Sequence, residues 1–141
     1  MPHTIRPMTA VDLPAARELW QGVPGIVLYP VDDSPETLTN FIKRNPRTCF
    51  IAEEEDGVLI GVILGGFDGR RAYIYHMCVR EDCQRRGIGR EMVNITAQAL
   101  KNEGAGKVSL FTMADNKNGE AFWEAIGFTV RDDVRLWDLR F

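Results

Sequence analysis

The residues with the clearest chemical meaning are Gln84-Arg85-Arg86-Gly87-Ile88-Gly89-Arg90, which follow an apolar run ending at Val79 and lead into a helical pattern. A strand that turns so abruptly into a helix presents the first helical amides, which have no intrahelical partner. The helix dipole adds about half a positive charge at the same end, so the backbone itself stabilises a phosphate there. Gly87 and Gly89 lack the Cβ atoms that would keep a pyrophosphate at a distance. Arg80, Arg85, Arg86 and Arg90 gather within eleven residues of a chain whose formal net charge is −3. Taken alone, Gly87-Ile88-Gly89 fits close helix–sheet packing as well as it fits an anion site. Gln84, the arginines and the preceding strand move the balance to phosphate. Neither Gly-x-x-x-x-Gly-Lys-Ser/Thr nor Gly-x-Gly-x-x-Gly occurs, which disfavours a nucleoside triphosphatase and a Rossmann dehydrogenase.

The elements that must position this turn are readable from periodicity. Thr4 to Pro7 reads as a short edge strand, after which Thr9 caps a helix with Leu13, Ala16, Leu19 and Trp20 at helical spacing. Gly22 to Asp33 shows no steady period and reads as a loop on the substrate side, and Ser34-Pro35-Glu36 opens a second helix to about Arg44. Cys49 to Glu55 and Val58 to Phe67 are strands joined by an Asp56-Gly57 hairpin turn, and Ala72 to Arg80 returns as a third. A helix follows from Gly87 to about Glu103, stopped by Gly104. Lys107 to Met113 reads as a strand, Asn116 to Ala125 as a helix, and Phe128 to Arg131 with Val134 to Arg140 as a final antiparallel pair. The expected order is βααβββαβαββ.

At 141 residues, 45% hydrophobic and 26% charged, the chain reads as a single globular domain over 1–141. Its longest apolar run, Val58 to Gly66, is too short to span a bilayer, and Met1-Pro2-His3-Thr4 lacks the features of a leader. A cytoplasmic protein with no membrane partner is expected. Cys49, Cys78 and Cys83 are odd in number and lack metal-ligand spacing, so they read as reduced thiols and no metal is expected. The acidic balance disfavours nucleic acid as a partner and suits a cationic small molecule.

With the strand ending Met77-Cys78-Val79, the motif Gln84-Arg85-Arg86-Gly87-Ile88-Gly89 resembles the GNAT superfamily of acyl-CoA-dependent N-acetyltransferases. The resemblance runs from Ile5-Arg6-Pro7 and Asp12 to Asn116, Trp123 and Gly127-Phe128. It implies an α/β (α+β) fold with a mixed, mostly antiparallel sheet of about six to seven strands flanked by about four helices. It also implies acetyl-CoA, or a longer acyl-CoA, as donor substrate. The amides of Gln84 to Arg90 would cradle the CoA pyrophosphate, and the Met77, Cys78 and Val79 backbone would pair with pantetheine like an added strand. Asn116 would contact the pantetheine arm or order the loop beside it. Gly65 to Arg71 followed by Tyr75-His76 is similar to a small bacterial subgroup whose acceptors are mostly unassigned. Family members often pair, so a homodimer is allowed.

The activity implied is acetyl transfer to a primary amine of a small molecule or peptide by direct attack in a ternary complex. The second reading is a non-enzymatic acyl-CoA-binding or regulatory module. Transfer needs a neutral amine, an oxyanion donor and a route for the proton. Family geometry names the Val79 N–H as oxyanion donor, and the titratable candidates for the proton are His76, Glu53, Asp68 and Tyr75. Strand alternation is expected to put His76 on the face opposite Tyr75 and Met77. Asp68, Arg70 and Arg71 read as turn residues or as readers of acceptor charge. Trp123 stands where many family members have a Tyr that protonates the departing thiolate, and an indole N–H is no usable proton source. Water or Tyr75 would then serve. Cys78 reads as a small buried hydrophobe rather than an acyl carrier.

Overall fold

The Asp56-Gly57 turn and the apolar runs beside it build the centre of the sheet. The computed structural model describes residues 2–141. Its strands are β1 (His3–Pro7), β2 (Cys49–Glu54), β3 (Leu59–Phe67), β4 (Ala72–Val79) and β5 (Val108–Ser109), hydrogen-bonded in that order. The first four pair antiparallel and β5 joins β4 parallel. Four α-helices are present among the described residues: α1 (Leu13–Gln21), α2 (Pro35–Arg44), α3 (Ile88–Glu103) and α4 (Lys117–Ala125). The chain forms two compact units, one ending at Phe111 and one of Thr112–Phe141. None of the described helices is long and apolar enough to cross a membrane.

Capping chemistry sets the helix ends. The Ser34 hydroxyl accepts the Thr37 N–H at 3.1 Å with Pro35 in the first turn of α2. A 3-10 turn, Ala10–Asp12, precedes α1, and there the Asp12 carboxylate accepts the Thr9 N–H at 2.9 Å. Arg6 grips the same carboxylate with two nitrogens at 2.8 and 3.0 Å. Burial raises the Asp12 pKa, and the hydrogen bonds from Arg6 and Thr9 together with the Arg6 charge more than offset it, so the net shift is down. Gly104 closes α3 with a left-handed φ of 113°.

One face of the sheet packs against α1 and α2 through Leu13, Ala16, Trp20, Leu38 and Ile42 on Ile51, Val62, Leu64 and Cys78. Burying each large side chain there contributes about 2 kcal/mol. The other face receives α3, whose Met92 and Thr96 approach the sheet where β3 has no side chain. A Cβ on Gly61 would lie 2.8 Å from Met92 Sδ, and one on Gly65 would lie 2.8 Å from Thr96 Cγ2.

The sheet has fewer strands than the six to seven expected. Only Val108 and Ser109 of the Lys107 to Met113 run pair with a neighbour. Residues 128–141 form no strand, and Val134, Leu136, Trp137 and Leu139 are exposed. The local reason is the Arg131-Asp132-Asp133 connection, which lacks the glycine or asparagine that a tight hairpin turn favours. Arg131 instead clasps Asp133 at 2.7 and 3.1 Å.

Candidate active site

The turn after β4 has the form of an anion site. Arg85 and Gly87 take left-handed conformations, φ 66° and 79°. Such kinks turn successive N–H groups to one side. No side chain caps α3, and its first intrahelical bond is from the Glu91 N–H to the Gly87 carbonyl. The amides ahead of Glu91 therefore meet whatever lies before the helix. The space where a Gly87 Cβ would stand is clear to 4 Å.

Side chains brace this turn from behind. Glu54, on β2, lies 3.1 Å from Arg80 and 3.9 Å from Arg86. Arg80 also bonds Asp82 at 2.6 Å. The Gln84 side chain donates to the Val79 carbonyl at 3.0 Å, tying the turn to the strand that feeds it. Of the residues expected to meet phosphate, Gln84 thus uses its side chain on β4 and its backbone N–H on the Glu81 carbonyl, at 3.3 Å. Ile88 is buried, Gly89 half-buried, and Arg85, Arg86, Gly87 and Arg90 are exposed.

A fork opens beside the turn. β4 and β5 pair only at Ala72–Val108 and Tyr73–Ser109, after which β4 continues to Val79 with β3 alone beside it. The Arg80 N–H reaches back to the Ile60 carbonyl at 2.7 Å, and Val79 faces Gly61. Consecutive residues of an antiparallel ladder turn their amides to opposite edges, so the Val79 N–H points to the edge that β5 has left. Met77 shares that direction. The Val79 carbonyl already accepts the Gln84 side-chain amide, which ties that edge of β4 to the turn.

A bulge changes which side chains meet. The β3–β4 register shifts between Val62 and Leu64, and His76 has φ 49°. A left-handed histidine is uncommon, and strain of this kind costs about 1–3 kcal/mol. The extra residue breaks the expected alternation. Tyr75 meets Phe41 of α2 edge-on at 5.8 Å, and His76 meets Trp20 of α1 at 5.1 Å. Both therefore lie on the α1–α2 face, and with them Cys78. The expectation that His76 and Tyr75 occupy opposite faces is corrected by this bulge.

The remaining candidates are engaged elsewhere. Glu53 bonds Arg6 at 3.1 Å, at the far edge of the sheet on β1. Asp68 accepts the Arg71 and Arg70 N–H groups at 2.7 and 2.8 Å and so caps the β3–β4 turn. Those bonds hold its carboxyl below the usual range. Burial, then Tyr73 and Asp68, raises the Tyr75 phenol, which therefore keeps its proton at neutral pH. Burial also pushes the Cys78 thiol up to about 12, so it is no nucleophile at neutral pH. In the second unit, Asn116 caps α4 by accepting the Gly119 N–H at 3.0 Å. Trp123 packs between Phe122 and Phe128, each 5.0 Å away, as a structural aromatic.

Residues 13–128 match the model of the acetyltransferase (GNAT) family. The chain belongs to this family. An acetyltransferase of Sodalis glossinidius is 27% identical over 110 residues, 78% of this chain and 77% of that protein. The fold is that of Ard1 from Thermoplasma volcanium, with a TM-score of 0.79 and 19% identity over 93% of this chain and 85% of that one. PaiA N-acetyltransferase of Thermoplasma acidophilum, solved in complex with coenzyme A, matches with a TM-score of 0.77 and 23% identity over 94% and 92%. The family is one of acetyltransferases, and the relative is named as one.

Two residues of this acetyltransferase's site have no signal in the sequence pattern. Asp33, only 6% exposed, places Oδ1 2.6 Å from His76 Nε2. It stands just before the Ser34 cap, where an aspartate reads as an ordinary loop residue. Glu54 ends β2 as one of several acidic residues before the hairpin turn. Both act on residues at least 26 positions away, beyond any local spacing rule.

Proposed function

We propose that this chain, acting as one GNAT domain over 1–141, moves an acetyl group from acetyl-CoA to a primary amine of a small molecule or peptide in a ternary complex. The observation that carries the reading is the fork: an amide directed to the edge β5 has left, beside an uncapped helix start bent by Arg85 and Gly87. The residues fit the donor. The amides of Arg85, Arg86, Gly87, Ile88, Gly89 and Arg90 would hold the pyrophosphate, with Gln84 bracing the turn, and the outward backbone of Met77 and Val79 would align pantetheine.

In this reading the amine lone pair attacks the thioester carbonyl, the N–C bond forms and the C–S bond breaks. The Val79 N–H stabilises the oxyanion. His76 takes the proton the amine gives up, and Tyr75 or water returns one to the CoA thiolate. Thiols titrate near 8.5, so the thiolate leaves readily even though Trp123 replaces the usual tyrosine. The acidic balance of the chain, −3, favours a cationic acceptor.

A CoA-release assay over peptides, polyamines and aminoglycosides tests the reading. Turnover with at least one amine, giving the N-acetyl product by mass, is expected. Tight acetyl-CoA binding with no product from any amine would count against it.

A further inference from the structure

His76 is held from three sides, and the hold decides which of its nitrogens can accept a proton. The bulge turns its backbone left-handed, and the Trp20 indole N–H donates to its carbonyl at 2.9 Å while the two rings lie 5.1 Å apart. The backbone and the ring are thereby fixed by one residue of α1. On the other side Nε2 lies 2.6 Å from Asp33 Oδ1.

Asp33 is itself immobilised in the loop between α1 and α2. Its Oδ2 accepts the Tyr29 N–H at 2.8 Å, its own N–H donates to the Tyr29 carbonyl at 3.0 Å, and its carbonyl accepts from the Arg17 guanidinium. Every bond to Asp33 is thus made by a different group of α1, the loop or β4. Such an arrangement aims the carboxylate at one point of the strand.

A carboxylate only accepts hydrogen bonds, so the contact with His76 needs its proton on Nε2. The neutral ring then carries its lone pair on Nδ1, since the partner of one nitrogen sets the state of the other. We propose that Asp33 is the positioning residue of the transfer reaction: it fixes His76 as the Nε2–H tautomer and presents Nδ1 as the atom that receives the amine proton. This rests on the reading of His76 as base given above. The same bond fastens the loop bearing Tyr29 and Asp33 to the strand that carries the base, so both parts of the acceptor side are ordered before substrate arrives.

The test begins without any acceptor. The chain has two histidines, so His3→Gln leaves a single imidazole for nitrogen-detected NMR. The expected spectrum shows a protected, far-downfield Nε2–H and a bare Nδ1. Asp33→Ala should lose that signal and Asp33→Asn, which keeps an acceptor oxygen, should retain a weaker one. A proton found on Nδ1, or a signal that survives Asp33→Ala, overturns the proposal. If Asp33→Ala does not fold, the Asn variant carries the comparison.

With an acceptor in hand, Asp33→Ala should lower kcat about 10-fold, as part of the about 10²-fold carried by the base itself. The KM for acetyl-CoA should not change, and Asp33→Asn should recover part of the rate. If His76→Gln turns over at the parent rate, the base reading falls and Asp33 is a loop anchor. If His76→Gln is impaired and Asp33→Ala is not, the positioning role alone falls.

Discussion

The turn that follows β4 and the bulge inside it are near neighbours in the chain, yet they are assembled in different ways. The turn is made of two left-handed residues and an uncapped helix start, all within Gln84 to Arg90, and its proposed role rests on backbone amides. The bulge works through side chains from afar: Trp20 lies 56 residues before His76 and Asp33 lies 43 before it. A backbone site is specified by residue types at short spacing. A side-chain site exists only when the fold has brought its parts together.

The sharpest way to break this contrast is at the turn. A Cβ in the first helical turn tilts toward the helix start, so Gly89→Val should weaken CoA binding at least about 10²-fold, equal to roughly 3 kcal/mol, with His76 chemistry untouched. Calorimetry with CoA measures it, and unchanged affinity would remove the turn from the donor site. His76→Gln should show the converse: kcat lower by about 10²-fold and CoA affinity equal to the parent's. If the two variants share one phenotype, the regions are not separable.

A smaller effect probes what holds the bulge. Trp20→Phe keeps a ring but removes the N–H that satisfies the His76 carbonyl. The cost should be about 1–3 kcal/mol for a carbonyl left unpaired, read from urea unfolding. No loss of stability would mean the bulge is held by its other contacts.

Alkaline pH probes the burial itself. Burial raises the Cys49 thiol to about 11 and the Cys78 thiol to about 12, from an ordinary value near 9. The folded state therefore keeps protons that the unfolded chain releases. Their contribution is complete below about pH 9 and is lost as pH rises through the two folded values. Urea midpoints should fall between pH 9 and pH 11, and Cys78→Ala should flatten the fall. A Cys78 that alkylates readily at pH 7.5 in the folded protein would reopen its use as an acyl carrier.

Most of the fold followed from pattern. The caps at Ser34 and Gly104, the Asp56-Gly57 turn and the α3 stripe all stand within a residue or two of their expected places. The losses are at Val108–Ser109 and after Phe128. Apolar alternation marks a segment as able to be a strand, but pairing needs an edge to receive it, and no local signal supplies one. The bulge failed for a related reason: alternation is a property of a regular ladder, and one added residue reverses it beyond that point.

Order and composition of residues were enough to locate the turn at Gln84 to Arg90, whose left-handed residues and uncapped helix start have the form of an anion site, because glycines and a helix start act within one turn of chain. They could not show that Tyr75 and His76 share a face, that Asp33 and Trp20 hold His76, or that Glu54 braces Arg80 and Arg86. Those pairings join residues far apart in the chain, and they come into being only when α1, the loop before α2, β2 and β4 pack as one unit.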